Sequence, residues 1–139
     1  MFKKILLAAD GSDHSVRASK KAAELAKLGG VSEITVVYVI DGQTSKEDVL
    51  HNQDRAVVEE KRKRRLHPVT DLLDREGLHY KLEKLHGEPG PAIVEFANKN
   101  GFDLVVVGSR GLNGLQEMVL GSVSHKVAKR VKAPVLIVK

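Results

Sequence analysis

The stretch that decides the fold is residues 104–124, L-V-V-V-G-S-R-G-L-N-G-L-Q-E-M-V-L-G-S-V-S. Its opening apolar run, residues 104–107, is short and rich in valine, which predicts a buried strand. Glycines follow at positions 108, 111, 114 and 121, and Ser122 opens a helical spacing of apolar residues. Glycines let backbone N–H groups approach a phosphate, and the first turn of a helix offers unpaired N–H groups. The stretch therefore predicts an anion site, in which Ser122 can cap the helix and donate its hydroxyl to a phosphate oxygen.

Strand and helix patterns alternate along the rest of the chain. Strands are predicted at residues 4–9, 33–40, 78–82 and 135–138, and helices at about 14–28, at 46–76, after the turn at 87–91, and at 122–131. Ser12 or Asp13 can cap the first helix, and Gly101 is predicted to follow the end of the third. Pro68 predicts a kink or a break in the long helix, because proline removes a helix hydrogen bond. The alternation predicts a Rossmann-like α/β fold, a single doubly wound parallel sheet with helices on both faces.

Composition limits the class of protein. A chain of 139 residues with 42% hydrophobic and 29% charged residues predicts one soluble domain, residues 1–139. No apolar run approaches the roughly 18 residues of a membrane span, and Asp10 ends the apolar start too early for a secretory signal. We therefore expect a cytoplasmic protein without a membrane partner. The absence of cysteine excludes disulfide and thiolate chemistry.

The net charge of +5 permits nucleic-acid binding, but other features argue against it. The chain has three Phe, two Tyr and no Trp, too few aromatic residues for a surface on which bases stack. The basic run at residues 61–65 is interpreted as a solvated helix face, because its charges point all round a helix.

Known catalytic and metal-binding patterns are absent from the sequence. It contains no P-loop, no G-x-G-x-x-G dinucleotide motif, no G-x-S-x-G nucleophile motif and no H-E-x-x-H zinc motif. The six histidines are interpreted as surface or packing residues. Phosphate-binding groups without a general base or a positioned nucleophile indicate ground-state binding, not catalysis. We therefore expect no catalytic residue and no metal-ligating residue.

The spacing Gly108-x2-Gly111-x9-Gly121-Ser122 resembles the nucleotide signature of the universal stress protein family, in its ATP-binding subgroup. The resemblance covers essentially the whole chain. It extends to the segments D-G-S at 10–12, H-G-E-P at 86–89 and P-V-L-I-V at 134–138.

This resemblance implies the strand order 3-2-1-4-5, so that a nucleotide would lie beyond the carboxyl ends of the first and fourth strands. The backbone at residues 9–11 and Val39 would hold the base, and the glycine signature would hold the triphosphate. Asp10 would accept from a ribose hydroxyl or the adenine amine, or reach Mg²⁺, and Arg110 would pair with a phosphate or point to solvent. Gly114, outside the signature, is either part of the site or only loop. The candidate nucleotide-binding residues are Ala9, Asp10, Gly11, Val39, Gly108, Ser109, Arg110, Gly111, Gly114, Gly121, Ser122, Val123 and Ser124.

The resemblance implies a stress-response regulator that holds ATP, with Mg²⁺, as a bound ligand and acts on a protein partner that the sequence does not identify. Two alternatives remain open. The same site could hydrolyse ATP slowly or transfer its phosphate to Ser109, Ser122 or Ser124. The protein could also be a dimeric interaction module without a nucleotide.

A homodimer is expected through the C-terminal strand at residues 134–138. This strand lies at an edge in the implied order and carries no charge. An uncharged edge invites pairing with another chain, and the resemblance implies antiparallel pairing across a two-fold axis.

Overall fold

The computed structural model describes residues 2–31, 33–40, 55–110 and 121–139. The strands of this part of the chain are β1 (Lys4–Ala8), β2 (Glu33–Ile40), β3 (Tyr80–His86), β4 (Leu104–Gly108) and β5 (Val135–Val138). Its helices are α1 (Asp13–Lys27), α2 (Arg55–Arg75), α3 (Pro89–Lys99) and α4 (Ser122–Arg130). None of these helices combines the length and the apolar composition that a membrane crossing requires.

The five strands form one parallel sheet in the order β3-β2-β1-β4-β5, as predicted. The central strand β1 is buried on both faces. Ile5 and Leu7 pack into a cluster with apolar residues of α1 and α2, whereas Leu6 and Ala8 pack into a second cluster with residues of α3 and α4. The strand order reverses between β1 and β4. We call the region beyond the carboxyl ends of these two strands the crevice, because open α/β sheets bind their ligands at this point.

Helix α2 continues through Pro68, so of the predicted kink or break the break is wrong, and the kink stays a prediction. Pro68 is exposed, while Leu66 and Val69 beside it are buried. The carbonyl that loses its helical partner therefore lies on the solvent side, where water can replace the lost hydrogen bond. The part of the predicted long helix before residue 55 falls outside the described residues.

The ends of two helices follow the predicted signals. Ser12 caps α1, because its Oγ accepts a hydrogen bond from the N–H of Ser15 at 3.2 Å. Gly101 follows the end of α3 with φ +65°, a conformation that glycine adopts at little cost.

Asp103 fixes the start of β1 beside the start of β4. Its Oδ2 accepts hydrogen bonds from the backbone N–H groups of Lys4 at 2.9 Å and Lys3 at 3.0 Å. These donors hold the pKa of the Asp103 carboxyl below its ordinary value. A carboxyl whose pKa is lowered by folding stabilises the folded state at neutral pH, and this contribution is lost as the pH falls through the lowered pKa.

Candidate functional site

The turn between β1 and α1 forms one wall of the crevice. Oδ1 of Asp10 accepts a hydrogen bond from the N–H of Ser12 at 2.9 Å, and the N–H of Gly11 donates to Oγ of Ser15 at 3.1 Å. Short side chains that bond to the backbone two to four residues away close a compact turn. The turn therefore fixes the backbone of residues 9–11 at the end of the central strand.

Gly11 is required in this turn for two reasons. Its φ is +85°, a left-handed conformation that side chains other than glycine rarely adopt. A Cβ at this position would also overlap the backbone carbonyl of Arg65 in α2. The backbone of helix α2 at Arg65 therefore packs directly against the turn and supports it.

Gly108 allows α1 to approach the end of β4. A Cβ at Gly108 would lie 2.8 Å from Cβ of His14 and 2.9 Å from its carbonyl carbon. Because real Cβ atoms do not come so close, only glycine permits this packing. It brings the first turn of α1 and the carboxyl end of β4 to the same crevice, as predicted from the adjacency of β1 and β4.

Ser109 joins β4 to two other elements and is buried. Its N–H donates to the carbonyl of Val138 in β5 at 2.8 Å. Its carbonyl accepts from the N–H of Gly121 at 2.8 Å and from Oγ of Ser124 at 2.8 Å. The start of α4 is therefore attached to the end of β4 through one residue.

The N-terminus of α4 lies at the crevice, but its cap differs from the prediction. Gly121 is the N-cap, and Ser122 is the first helical residue, so the prediction that Ser122 caps the helix is wrong. Oγ of Ser124 donates to the carbonyl of Gly121 at 3.0 Å and packs this turn tightly. The N–H groups of residues 122–124 have no acceptor within an α-helix and can bind an anion.

Arg110 is buried at 8% exposure, although arginine is rarely buried without a partner. Its Nη2 is buried and has no hydrogen-bond partner among the described residues. Its Cα would lie 3.5 Å from a Cβ placed on Gly121, so this residue is adjacent to the α4 N-terminus. The side chain does not point to solvent, which the sequence left as an alternative. A buried guanidinium nitrogen without a hydrogen-bond partner is costly, and an anion that accepts from it would stabilise it.

Of four further candidate residues, two lie near the crevice and two lie outside the described part of the chain. Val39 lies near the carboxyl end of β2, half-buried beside Ala8 and Val37. Gly111 and Gly114 lie outside the described residues. Val123 is half-buried in the first turn of α4.

The basic run at residues 61–65 is only partly solvated. Lys63 and Arg64 are exposed, in agreement with the sequence interpretation. The Arg62 side chain is 12% exposed and lies 3.3 Å from a carboxylate oxygen of Glu59. Arg65 donates through Nη1 to the hydroxyl of Tyr38 at 3.4 Å. The interpretation as a solvated face is therefore wrong for Arg62, whose side chain is largely buried.

Sequence reasoning missed His14 and Arg17, which lie beside the crevice. Nδ1 of His14 is 3.0 Å from Nη2 of Arg17 and 3.4 Å from Oγ of Ser109, and Nε of Arg17 donates to the carbonyl of Lys139 at 3.0 Å. Because arginine only donates, Nδ1 of His14 accepts, and the imidazole proton lies on Nε2. The three-residue spacing of His14 and Arg17 on one helix face was the available signal.

The sheet order and the crevice beyond β1 and β4 define a Rossmann-like α/β protein with a candidate anion site where the strand order reverses. The model of the universal stress protein family (Usp) matches residues 1–139, and the chain belongs to this family. It is 35% identical to the universal stress protein YxiE of Bacillus subtilis, in an alignment that covers 100% of both chains.

Solved structures of similar proteins share the fold. The structure of protein MJ0577, from Methanocaldococcus jannaschii, has a TM-score of 0.83 at 32% identity and covers 100% of this chain and 96% of its own. A universal stress protein in complex with cAMP has a TM-score of 0.74 at 27% identity, with coverage of 99% and 97%. The universal stress protein from Archaeoglobus fulgidus in complex with dAMP has a TM-score of 0.70 at 26% identity, with coverage of 100% and 98%.

Proposed function

We propose that the crevice binds an adenine nucleotide, ATP together with Mg²⁺, and that the protein is a cytoplasmic stress-response regulator. The observation that carries this proposal is the buried guanidinium of Arg110, whose Nη2 lacks a hydrogen-bond partner among the described residues. An anion that accepts a hydrogen bond from this nitrogen would remove the cost of burying it unpaired. Two similar family members were solved with cAMP and dAMP, which supports the phosphate of an adenine nucleotide as that anion.

The phosphate would be held between Arg110 and the N-terminus of α4. The N–H groups of residues 122–124 and the exposed hydroxyl of Ser122 supply donors there. A Cβ at Gly121 would lie 3.3 Å from the carbonyl oxygen of Ser109, so glycine lets the start of α4 pack closely on the end of β4, beside Arg110. The hydroxyl of Ser124 bonds to two carbonyls already, so Ser124 would contribute its N–H and position the turn.

The adenosine part would lie against the ends of β1 and β2. Val39 offers an apolar surface for the base, and the backbone of residues 9–11 is fixed beside it. Asp10 is half-buried and would accept from a ribose hydroxyl or from the adenine amine.

The described residues contain no group of three or more His, Cys, Asp or Glu that could hold a metal ion. Mg²⁺ fits this site only in the way that it usually accompanies nucleotides, bound mainly by phosphate oxygens and water with at most one carboxylate. Asp10 is the carboxylate that would serve. The cation would offset the repulsion between Asp10 and the triphosphate.

The contacts of Ser109 favour a bound ligand over phosphate transfer to this serine. Its hydroxyl lies 3.4 Å from Nδ1 of His14, a possible base, but Nη2 of Arg17 donates to the same nitrogen at 3.0 Å. Because this donor uses the lone pair of Nδ1, the nitrogen is not available to take the proton of the Ser109 hydroxyl. ADP production by the wild-type protein that disappears in a folded Gly121→Val variant would support the enzymatic alternative instead.

Nucleotide binding is expected to slow amide hydrogen exchange at the start of α4. The phosphate would occupy N–H groups that are otherwise unpaired within the helix, and it would stabilise the turn attached to Ser109. Exchange would be followed by mass spectrometry on peptides covering residues 121–131, with and without ATP and Mg²⁺. Peptides from β3, the edge strand remote from β4, serve as the internal control. Equal exchange in both states would contradict ordering by the nucleotide.

We further propose that two copies associate through β5, an outer strand of the sheet. Its residues Val135–Val138 are half-buried and uncharged, whereas the other outer strand, β3, carries Lys81, Glu83 and Lys84. Charged side chains protect an edge from pairing, and β5 has no such protection.

Substituting Ile137 by lysine is therefore expected to convert the dimer into monomers. Two copies of the edge would bring the new ammonium groups together and bury them in an apolar interface. Sedimentation velocity would report the change, with Leu82→Lys on the exposed surface of β3 as the matched control. An unchanged sedimentation coefficient for both Ile137→Lys and Val135→Lys would show that the interface lies elsewhere.

A further inference from the structure

The end of β5 is attached to the proposed phosphate site at two points. The first is Ser109, which donates to the carbonyl of Val138 at 2.8 Å and accepts from the N–H of Gly121 at 2.8 Å. The residue is 7% exposed, so water does not compete freely for these bonds. A change in the position of β5 at Val138 therefore moves the N-terminus of α4 through a single residue.

The second attachment is Arg17 in α1. Its Nε donates to the carbonyl of Lys139 at 3.0 Å, and its Nη2 donates to Nδ1 of His14 at 3.0 Å. The same nitrogen of His14 lies 3.4 Å from Oγ of Ser109, and the His14 backbone packs on Gly108. These hydrogen bonds, together with the longer Ser109–His14 contact, connect Ser109 to β5 and, through Arg17 and His14, back to Ser109.

The alternating direction of backbone N–H and C=O groups along β5 determines which of them can form hydrogen bonds to another chain. The carbonyls of Pro134 and Val138 accept from β4 and from Ser109, so residues with even numbers bond inward. In a strand the N–H and C=O groups of successive residues point to opposite sides. Val135 and Ile137 therefore direct their backbone N–H and C=O groups to the open edge of the sheet. Lys139 follows in the same odd-numbered series, and its carbonyl accepts a hydrogen bond from Arg17.

We infer that pairing of the β5 edge with a second copy of this chain and occupation of the nucleotide site strengthen each other, with Ser109 and Arg17 as the positioning residues. This inference rests on the proposed function. A second copy that pairs with Val135 and Ile137 would hold β5 in one position. Ser109 and the α4 N-terminus would then be fixed before the nucleotide arrives, so less ordering would accompany binding.

The coupling must be reciprocal, because it is a free energy shared by two binding equilibria. If dimer formation increases nucleotide affinity by some factor, saturating nucleotide increases dimer affinity by the same factor. Couplings of this kind are typically about 5- to 150-fold. A second copy suits the edge because β5 is uncharged, so two chains of net charge +5 meet where neither presents charge.

The test is the dimer dissociation constant measured by sedimentation equilibrium with and without saturating ATP and Mg²⁺. For the wild type we expect the dissociation constant to fall about tenfold in ATP, within the usual range of such couplings. Arg17 is exposed, so Arg17→Met is expected to fold, to bind ATP and to dimerise. The ratio of its dissociation constants without and with ATP should be clearly smaller than in the wild type, because only the Ser109 attachment remains. Lys20→Met is the matched control: it removes another exposed cation of α1 and should keep the wild-type ratio of dissociation constants without and with ATP.

Each outcome decides the inference. Equal dissociation constants with and without ATP, in a wild-type protein that binds ATP, overturn the coupling and leave the proposed function intact. A chain that stays monomeric at all concentrations overturns the coupling and the proposed dimer, and leaves the proposed nucleotide site intact. An Arg17→Met protein that keeps the wild-type ratio removes Arg17 from the connection. Failure of the wild type to bind ATP at all overturns the proposed function, and the coupling with it.

Discussion

The Arg110→Met variant is expected to bind adenine nucleotide about 10- to 150-fold more weakly than the wild type, while its fold is as stable or more stable. A hydrogen bond to a charged group contributes roughly 1.5–3 kcal/mol, which corresponds to this loss. Without nucleotide, however, the buried guanidinium lacks a partner at Nη2 among the described residues. Replacing a poorly paired buried charge by an apolar side chain of similar length is often neutral or stabilising.

A loss of affinity without a loss of stability distinguishes a binding role of Arg110 from a structural one. Titration calorimetry would measure the affinity, and urea unfolding of the nucleotide-free protein would measure the free energy of unfolding. Arg64→Met is the matched control, because Arg64 is exposed on α2 and the variant should leave both quantities unchanged. Loss of stability together with affinity would mean that Arg110 supports the fold; unchanged affinity would remove it from the site.

The Gly11→Ala variant is expected to lose about 2–5 kcal/mol of unfolding free energy. A left-handed φ costs an alanine roughly 1–2 kcal/mol, and forced overpacking typically adds about 1–3 kcal/mol. Both apply here, because Gly11 has φ +85° and a Cβ would overlap the Arg65 carbonyl. The contact cannot relax cheaply, since it is made by backbone of α2.

The Gly30→Ala variant measures separately the free-energy cost of placing an alanine at a left-handed φ, without a steric overlap. Gly30 has φ +83°, but nothing lies within 4 Å of its missing Cβ, so its alanine variant should lose only about 1–2 kcal/mol. Urea unfolding of both variants gives the difference directly. Equal losses would show that the turn moves away from α2 without cost, and that α2 does not support the β1–α1 turn.

The order of the elements could be predicted because each element has a local signal. The run at residues 104–107 is apolar and β-branched, and the structure confirms it as β4. Ser12 is a good cap residue and caps α1, and Gly101 ends α3 as predicted. The strand order came from the family resemblance, and the sheet confirms it. Periodicity alone contains no information on which strands become neighbours.

Other features of the fold and of the candidate site could not be predicted, because they depend on how each residue is placed in the folded chain. Arg17 bonds to a residue 122 positions away, and neither residue carries a sequence signal for this pairing. The burial of Arg110 depends on how the end of β4 meets the start of α4. The continuity of α2 depends on the exposed position of Pro68, which a local rule about proline does not include.

The measurement that tests the central claim most directly is made on freshly purified protein before any nucleotide is added. The protein is denatured and filtered, and the released small molecules are identified by ultraviolet absorbance and mass. We expect close to one adenine nucleotide per chain, mainly ATP; substantial ADP would favour the hydrolytic alternative. The Arg110→Met variant should release much less. If the wild type releases nothing and shows no binding at millimolar ATP with Mg²⁺, the crevice is not a nucleotide site, although the fold remains.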